Sequence, residues 1–67
     1  MISVYINGTS QAFEQVSTVA DLVAALNLGG KRIAIECNGE IVPRSTFAQH
    51  PLHEGDRIEI VVAVGGG

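Results

Sequence analysis

Residues 19–37 read VADLVAALNLGGKRIAIEC, a helix pattern and a strand pattern separated by two glycines. Ser17 or Thr18 is expected to cap the helix, and Asp21 falls in its first turn, where the helix dipole favours a negative charge. Gly29-Gly30 is expected to end the helix, since glycine takes the left-handed conformation found just past helix ends. The apolar residues recur at i, i+3, i+4 and i+7, the spacing of one helix face: Val19, Leu22, Val23 and Leu26.

Strand patterns lie on both sides of this helix. Residues 2–6 alternate apolar and polar, Asn7-Gly8 supplies a tight turn, and a second strand is expected through about Phe13. After the helix, residues 33–37 alternate, Asn38-Gly39 marks a second turn, and a short strand around Ile41-Val42 is cut off by Pro43. The final strand turns one apolar face inward through alternate residues: Ile58, Ile60, Val62 and Val64.

A short irregular segment lies between the last two strands. Ser45 is expected to cap a single helical turn through Thr46–Gln49, with Phe47 as its buried anchor. Glu54-Gly55-Asp56 is expected to form a turn that Asp56 and Glu54 serve with their side chains.

The element order is therefore β-β-α-β-β-β, which predicts an α+β domain of the β-grasp type with one helix on one face of a mixed sheet. The right-handed crossover rule is expected to make the third strand parallel to its neighbour in the sheet. The other face of the sheet stays open. Tyr5, Val61 and Ala63 are expected to be exposed there and are the candidate partner-docking face.

Size and charge narrow the function. A chain of 67 residues forms one small domain with little room for a substrate cavity of its own, which favours binding or carrier functions over catalysis. A net charge of −3 with four scattered cations speaks against nucleic acid as a partner. The single cysteine, the absence of a signal-peptide pattern and apolar runs of at most five residues predict a cytoplasmic protein without membrane contact. The short strands and low charge favour a monomer when free, or a weak dimer.

The sequence ends on Gly65-Gly66-Gly67, directly after the apolar strand pattern. Glycine leaves its carboxyl carbon unhindered and lets the backbone enter narrow slots. Three residues carry that carboxylate about 10 Å beyond the fold. The expected organisation is a β-grasp domain over residues 1–64 and a flexible reactive tail over residues 65–67. An incidental frayed terminus is the alternative.

The C-terminal half of the sequence resembles the ThiS family, the sulfur carrier proteins of thiamine biosynthesis, and the likeness extends over nearly the whole chain. The length of the chain is also typical of that family. The residues that carry the resemblance are Cys37-Asn38-Gly39-Glu40-Ile41-Val42-Pro43-Arg44, Phe47-Ala48, Glu54-Gly55-Asp56-Arg57-Ile58-Glu59-Ile60-Val61 and Ala63-Val64-Gly65-Gly66-Gly67.

The resemblance implies a carrier function without catalytic residues. The carboxylate of Gly67 would be adenylated by a ThiF-like enzyme using ATP and then converted to a thiocarboxylate with cysteine-derived sulfur. The thiocarboxylate would donate its sulfur to a ThiG-like thiazole synthase. Gly65 and Gly66 would thread into the partners, and the protein itself would hold no cofactor or metal.

Two other functions remain open for a β-grasp protein that ends in glycines. The small subunit of molybdopterin synthase uses the same thiocarboxylate, but it is usually longer and lacks the pattern of residues 38–44. A ubiquitin-like modifier forms isopeptide bonds with protein lysines; Lys31, the single lysine, leaves little scope for chains.

The remaining reactive side chains have plain structural interpretations. Cys37 alternates in register with Ile33 and Ile35, which predicts a buried small apolar residue rather than a reactive thiol. His50 and His53 match no zinc-ligand spacing and are expected to be surface loop residues. Arg44 and Arg57 either meet acidic groups of a partner or only solvate the fold.

Overall fold

The computed structural model describes residues 1–63. Val64 and the glycines Gly65, Gly66 and Gly67 lie outside the described residues. The predicted boundary after residue 64 and the flexibility of the tail therefore stay predictions.

Residues 1–63 form five strands, one α-helix and one 3-10 helix. The elements are β1 (Ile2–Ile6), β2 (Thr9–Phe13), α1 (Val19–Ala25), β3 (Ile33–Cys37), β4 (Glu40–Val42), a 3-10 helix (Arg44–Gln49) and β5 (Arg57–Val62). The predicted order β-β-α-β-β-β is confirmed.

The five strands form one mixed sheet in the order β2-β1-β5-β3-β4. The last strand, β5, lies at the centre, parallel to β1 and antiparallel to β3. Each hairpin, β1-β2 and β3-β4, supplies one side of the sheet. This is the predicted β-grasp arrangement, with α1 on one face and an open face on the other.

The prediction that the third strand is parallel to its neighbour is wrong. β3 pairs antiparallel with both β5 and β4. The crossover through α1 fixes the direction of β3 relative to β2, the strand before the helix, and these two strands do run the same way. They are not neighbours, because β1 and β5 lie between them.

The helix begins as predicted and ends earlier. Thr18 is the N-cap: its Oγ1 accepts from the Asp21 N–H at 3.2 Å, and Asp21 Oδ2 accepts from the Thr18 N–H at 3.1 Å, which completes a capping box. The helix ends at Ala25, and Asn27, with φ of 63°, takes the left-handed position expected of the glycines. The Leu28 N–H donates to the Val23 carbonyl at 2.9 Å, which closes a Schellman motif around Asn27.

The core lies between α1 and the sheet. Val19 and Leu22 of the helix are fully buried and pack on the inward residues of the strands. Cys37 is 7% exposed and belongs to this core, which confirms its predicted structural position. The buried apolar residues are Val4, Ile6, Val19, Leu22, Ile35, Cys37, Val42, Leu52, Ile58 and Ile60.

The segment after β4 differs in detail from its prediction. Its 3-10 helix begins after Pro43, which makes no side-chain cap, and Ser45 lies inside the helix rather than capping it. Pro43 stands there because its fixed φ suits the extended residue before a helix. Phe47 is only partly buried, although it packs against the core as expected.

Candidate functional site

The open face of the sheet carries the side chains that point away from α1. Val4 and Ile6 of β1 and Ile58 and Ile60 of β5 are buried, so the residues that alternate with them face the other way. The open face is therefore made of Ser3 and Tyr5 from β1, Ser10 and Ala12 from β2, Arg57, Glu59 and Val61 from β5, Ala34 and Glu36 from β3, and Ile41 from β4.

The three predicted docking residues are exposed but do not form one contiguous patch. Tyr5 is 44% exposed and lies beside Arg57 at the start of β5. Val61 is 65% exposed and lies beside Ala34 near the end of β5. Four residues of strand separate them, about 13 Å. Ala63 follows β5 and is exposed next to Val61.

Two carboxylates occupy the middle of this face. Glu36 of β3 and Glu59 of β5 are direct cross-strand partners, an arrangement that is destabilising for like charges. Ile41, 67% exposed, is the partner of Glu36 on the other side. A docking partner would therefore meet an acidic centre between the apolar side chains of Val61 and Ile41.

The prediction missed Glu36, Glu59 and Ile41 as members of this face. The alternation of residues 33–37 and 58–62 places both glutamates on the outward side, so their exposure on the open face could have been predicted from the sequence. That they face one another depends on β5 lying beside β3, and this pairing brings together residues 23 positions apart. The periodicity of a single strand does not indicate which other strand lies beside it.

Asn38 and Asp56 join the β3-β4 turn to the start of β5. Asn38 Oδ1 accepts from the Arg57 N–H at 2.9 Å, and its Nδ2 donates to Asp56 Oδ1 at 3.0 Å. Asp56 Oδ2 accepts from the His53 N–H at 2.8 Å, which confirms the predicted contribution of Asp56 to its turn. Partial burial raises the pKa of Asp56, but the hydrogen bonds from Asn38 and His53 outweigh it and hold that pKa below its usual value.

Cys37 lies behind this cluster on the core side of the sheet. Burial, and then the negative charge of Asp56, raise the pKa of the Cys37 thiol. A buried, protonated thiol is a poor nucleophile, so the side chain is suited to packing rather than to exchange with a partner.

The two histidines differ. His53 is exposed, as predicted, with its Nδ1 3.9 Å from Asp56 Oδ2. His50 is partly buried rather than on the surface, and its Nδ1 is buried without a hydrogen-bond partner among residues 1–63.

Within residues 1–63 no three His, Cys, Asp or Glu side chains gather as metal ligands would. No helix there has the length and apolar character needed to cross a bilayer.

The sheet order, the single crossing helix and the central C-terminal strand define a β-grasp protein of the ubiquitin-like class. A sequence model of the ThiS family matches residues 4–67. The chain belongs to the ThiS family.

Relatives and solved structures agree with this membership. The sulfur carrier protein ThiS of Bacillus subtilis is 37% identical over 54 residues, covering 81% of this chain and 82% of that protein. The crystal structure of the thiamine biosynthesis protein ThiS from Geobacter metallireducens superposes with a TM-score of 0.81 at 26% identity, covering 98% of this chain and all of that one.

Longer proteins contain a similar segment. A thiazole synthase of Paramagnetospirillum magneticum is 42% identical over 62 residues, which cover 92% of this chain and 19% of that protein. The thiazole synthase of Magnetococcus marinus is 32% identical over 66 residues, 98% of this chain and 20% of that protein. The chain thus spans about a fifth of the length of these two relatives.

Proposed function

We propose that this protein carries sulfur for the assembly of the thiazole ring of thiamine, with the carboxyl group of Gly67 as its reacting group. The observation that carries the proposal is the ThiS family match, which extends through residue 67. The fold supports it, because β5, the strand that precedes this segment in the sequence, lies at the centre of the sheet and ends at Val62.

The chemistry explains why activation is needed. An α-carboxyl group has a reference pKa of roughly 3.3–3.7, so it is ionised near neutral pH and resists nucleophiles. In the first step the Gly67 carboxylate attacks the α-phosphorus of ATP and pyrophosphate leaves. In the second, hydrosulfide attacks the acyl carbon and AMP leaves; a thiol reductant releases this hydrosulfide from the persulfide that a desulfurase forms with cysteine sulfur, and is itself oxidised to a disulfide. The resulting thiocarboxylate is the sulfur donor.

The partners carry out these reactions, and the protein is their substrate. A ThiF-like enzyme supplies the adenylation, and a thiazole synthase consumes the thiocarboxylate in the cytoplasm. The two thiazole synthases that contain a segment similar to this chain support the second partner. Gly65 and Gly66 thread into a slot of each enzyme, since only glycine backbone fits a slot that excludes side chains.

The open face supplies the affinity that three glycines cannot. Tyr5, Val61 and Ala63 are exposed on it, and Ile41 extends the apolar area at the β4 edge. The acidic pair Glu36 and Glu59 disfavours a symmetric pairing of two copies through this face, because like charges would meet. This supports a monomer that docks on a different protein.

Reconstituted thiazole formation tests the proposal. The wild-type chain, a ThiF-like enzyme, a cysteine desulfurase and thiazole synthase, supplied with ATP, cysteine, a thiol reductant and the carbon and nitrogen precursors of the ring, should together form thiazole. A variant lacking Gly66 and Gly67 should form none, while its unfolding temperature stays that of the wild type. Thiazole formed at the wild-type rate by the shortened chain would refute the proposal.

A further inference from the structure

Three of the four fixed cations of this acidic chain gather where β5 ends. Arg32 precedes β3, and its carbonyl accepts from the N–H of Ala63, the last described residue, at 2.8 Å. Lys31 precedes Arg32, and its carbonyl accepts from Arg44 Nη2 at 2.8 Å. We call the C-terminal end of β5, beside Ala63, the exit. We call Lys31, Arg32 and Arg44 the basic exit cluster; all three are exposed. The fourth cation, Arg57, stands at the opposite end of β5.

The acidic residues lie elsewhere in the domain. Glu40, Glu54 and Asp56 surround the other end of β3 and the start of β5. Glu36 and Glu59 are four residues, about 13 Å of strand, from Arg32 and Ala63 respectively. Glu14 follows β2, and Asp21 lies in the first turn of α1. The described domain is thus positive at the exit and negative over the rest.

This cluster is not explained by interactions within the domain. Among residues 1–63, no carboxylate lies within 4.0 Å of Lys31, Arg32 or Arg44. Like charges held together repel one another. One backbone hydrogen bond, from Ala63 to Arg32, and one from the Arg44 side chain to the Lys31 carbonyl nevertheless hold these three residues beside the exit, so their charges are available to an external anion.

We propose that the basic exit cluster docks on an acidic rim, a set of Asp or Glu carboxylates that flank the slot of the adenylating enzyme where the glycine tail enters. This inference rests on the proposed function. Carboxylates of the partner fit better than the phosphates of ATP. Four residues separate Ala63 from the end of the chain, so a tail extended into the slot carries its carboxyl about 13 Å from Arg32. The nucleotide reacts at that distant carboxyl, whereas the rim lies beside the exit.

Matched substitutions test the position of the charge. Arg32→Gln removes an exposed charge at the exit, and the double variant Arg32→Gln, Gln15→Lys restores the net charge at an exposed loop residue away from the exit and the open face. Steady-state adenylation by the partner enzyme, with the carrier varied at saturating ATP, should show a KM about threefold higher for both variants. The double variant Lys31→Gln, Arg32→Gln should raise KM about tenfold. The kcat should stay at the wild-type value, and raising the ionic strength should shrink all differences.

Further variants and outcomes separate the alternatives. Arg32→Lys keeps the charge and should keep the wild-type KM, and thermal unfolding should show all variants folded. A wild-type KM for Arg32→Gln, or a wild-type KM regained when Gln15→Lys is added, would overturn the acidic rim. A fall in kcat at unchanged KM would assign the cluster to the nucleotide and would also overturn it. A wild-type chain that is not adenylated at all would instead refute the proposed function on which the inference rests.

Discussion

The side chain of Asn7 forms both hydrogen bonds of a backbone pair with Ile60. Its Oδ1 accepts from the Ile60 N–H at 2.8 Å, and its Nδ2 donates to the Ile60 carbonyl at 3.1 Å. β1 pairs with β5 only as far as Ile58. At Ile60 the Asn7 side chain therefore makes the hydrogen bonds that a neighbouring strand would otherwise make. The Asn7 N–H also donates to the Ile58 carbonyl at 2.9 Å. The first hairpin thereby fixes the part of β5 from which the chain continues toward its glycines.

Asn7→Gly should destabilise the domain by about 1–3 kcal/mol. Glycine accepts the φ of 49° at this position, so the substitution removes the two side-chain bonds without straining the turn. Each lost bond is worth about 0.5–1.5 kcal/mol, and the groups of buried Ile60 lose their partners. Urea denaturation measures the change in the free energy of unfolding.

Asn27→Gly is the matched control for that experiment. Asn27 also has a positive φ, of 63°, but its side chain makes no hydrogen bond to the described part of the chain. Its replacement should change stability by less than about 0.5 kcal/mol. Equal losses for the two variants would show that the Asn7 side chain contributes nothing beyond its backbone conformation.

Asp56 should make the stability of the domain sensitive to acid. Its pKa is lower in the folded chain than in the unfolded one, so the unfolded state binds the proton first as the pH falls. The stabilisation is present above the unfolded pKa of about 3.9 and is lost as the pH falls through the lower folded value. Urea denaturation between about pH 6 and about pH 2, a range that spans the unfolded pKa of about 3.9, should show this loss.

Asp56→Asn should lower stability by about 1–2 kcal/mol at neutral pH, since an amide cannot accept from both Asn38 and His53. The variant should also lose less stability than the wild type on acidification. Glu14→Gln, an exposed site outside every hydrogen bond found in residues 1–63, is the control and should match the wild type at neutral pH. A parallel decline of wild type and Asp56→Asn with pH would contradict the assignment.

Thr18→Ala should cost about 1 kcal/mol through the loss of the helix N-cap. The Thr18 hydroxyl accepts from the Asp21 N–H, and the same turn is tied to the loop by the Val19 N–H, which donates to the His50 carbonyl at 3.0 Å. Ser17→Ala, one residue earlier, is the control, since its side chain makes no hydrogen bond among the described residues. Thermal unfolding of the two variants in parallel measures their stabilities. A larger loss of stability for Ser17→Ala than for Thr18→Ala would show that Thr18 is not the N-cap.

Val61→Ser should weaken docking on the partner enzymes without unfolding the chain. Val61 is 65% exposed, so its side chain contributes little to the core. Full burial of a valine in an interface is worth about 1.5 kcal/mol, or roughly a tenfold change in affinity. Calorimetric titration against the adenylating enzyme measures the change.

Ala24→Ser, on the exposed side of α1, is the control for docking and should bind like the wild type. Ile41→Ser tests how far the docking face extends toward the β4 edge. Unchanged affinity for Val61→Ser would remove Val61 from the docking face, whatever Ile41→Ser shows.

Local pattern predicted most of the fold, because each element has its own periodicity and its own turn residues. Asn7-Gly8 and Asn38-Gly39 both take positive φ as the hairpins require, and Thr18 with Asp21 marks the helix start. The helix end was misplaced because Asn27, which also tolerates the left-handed conformation, acts before the glycines are reached.

The predictions that failed depend on contacts between residues that are far apart in the sequence. The insertion of β5 between β1 and β3 sets the neighbours of β3 and makes Glu36 face Glu59. Nothing in the local alternation of either strand specifies its partner. The gathering of Lys31, Arg32 and Arg44 at the exit has the same origin, since it depends on Ala63 pairing with Arg32.

The central claim is that Gly67 carries sulfur as a thiocarboxylate, and the intact mass of the protein tests it most directly. After incubation with ATP, the adenylating enzyme, a desulfurase, cysteine and a thiol reductant, the mass should rise by the difference between one sulfur and one oxygen atom. Fragmentation should place that change on the carboxyl group of Gly67. An unchanged mass, or an isopeptide bond from Gly67 to a lysine of another protein, would contradict the account.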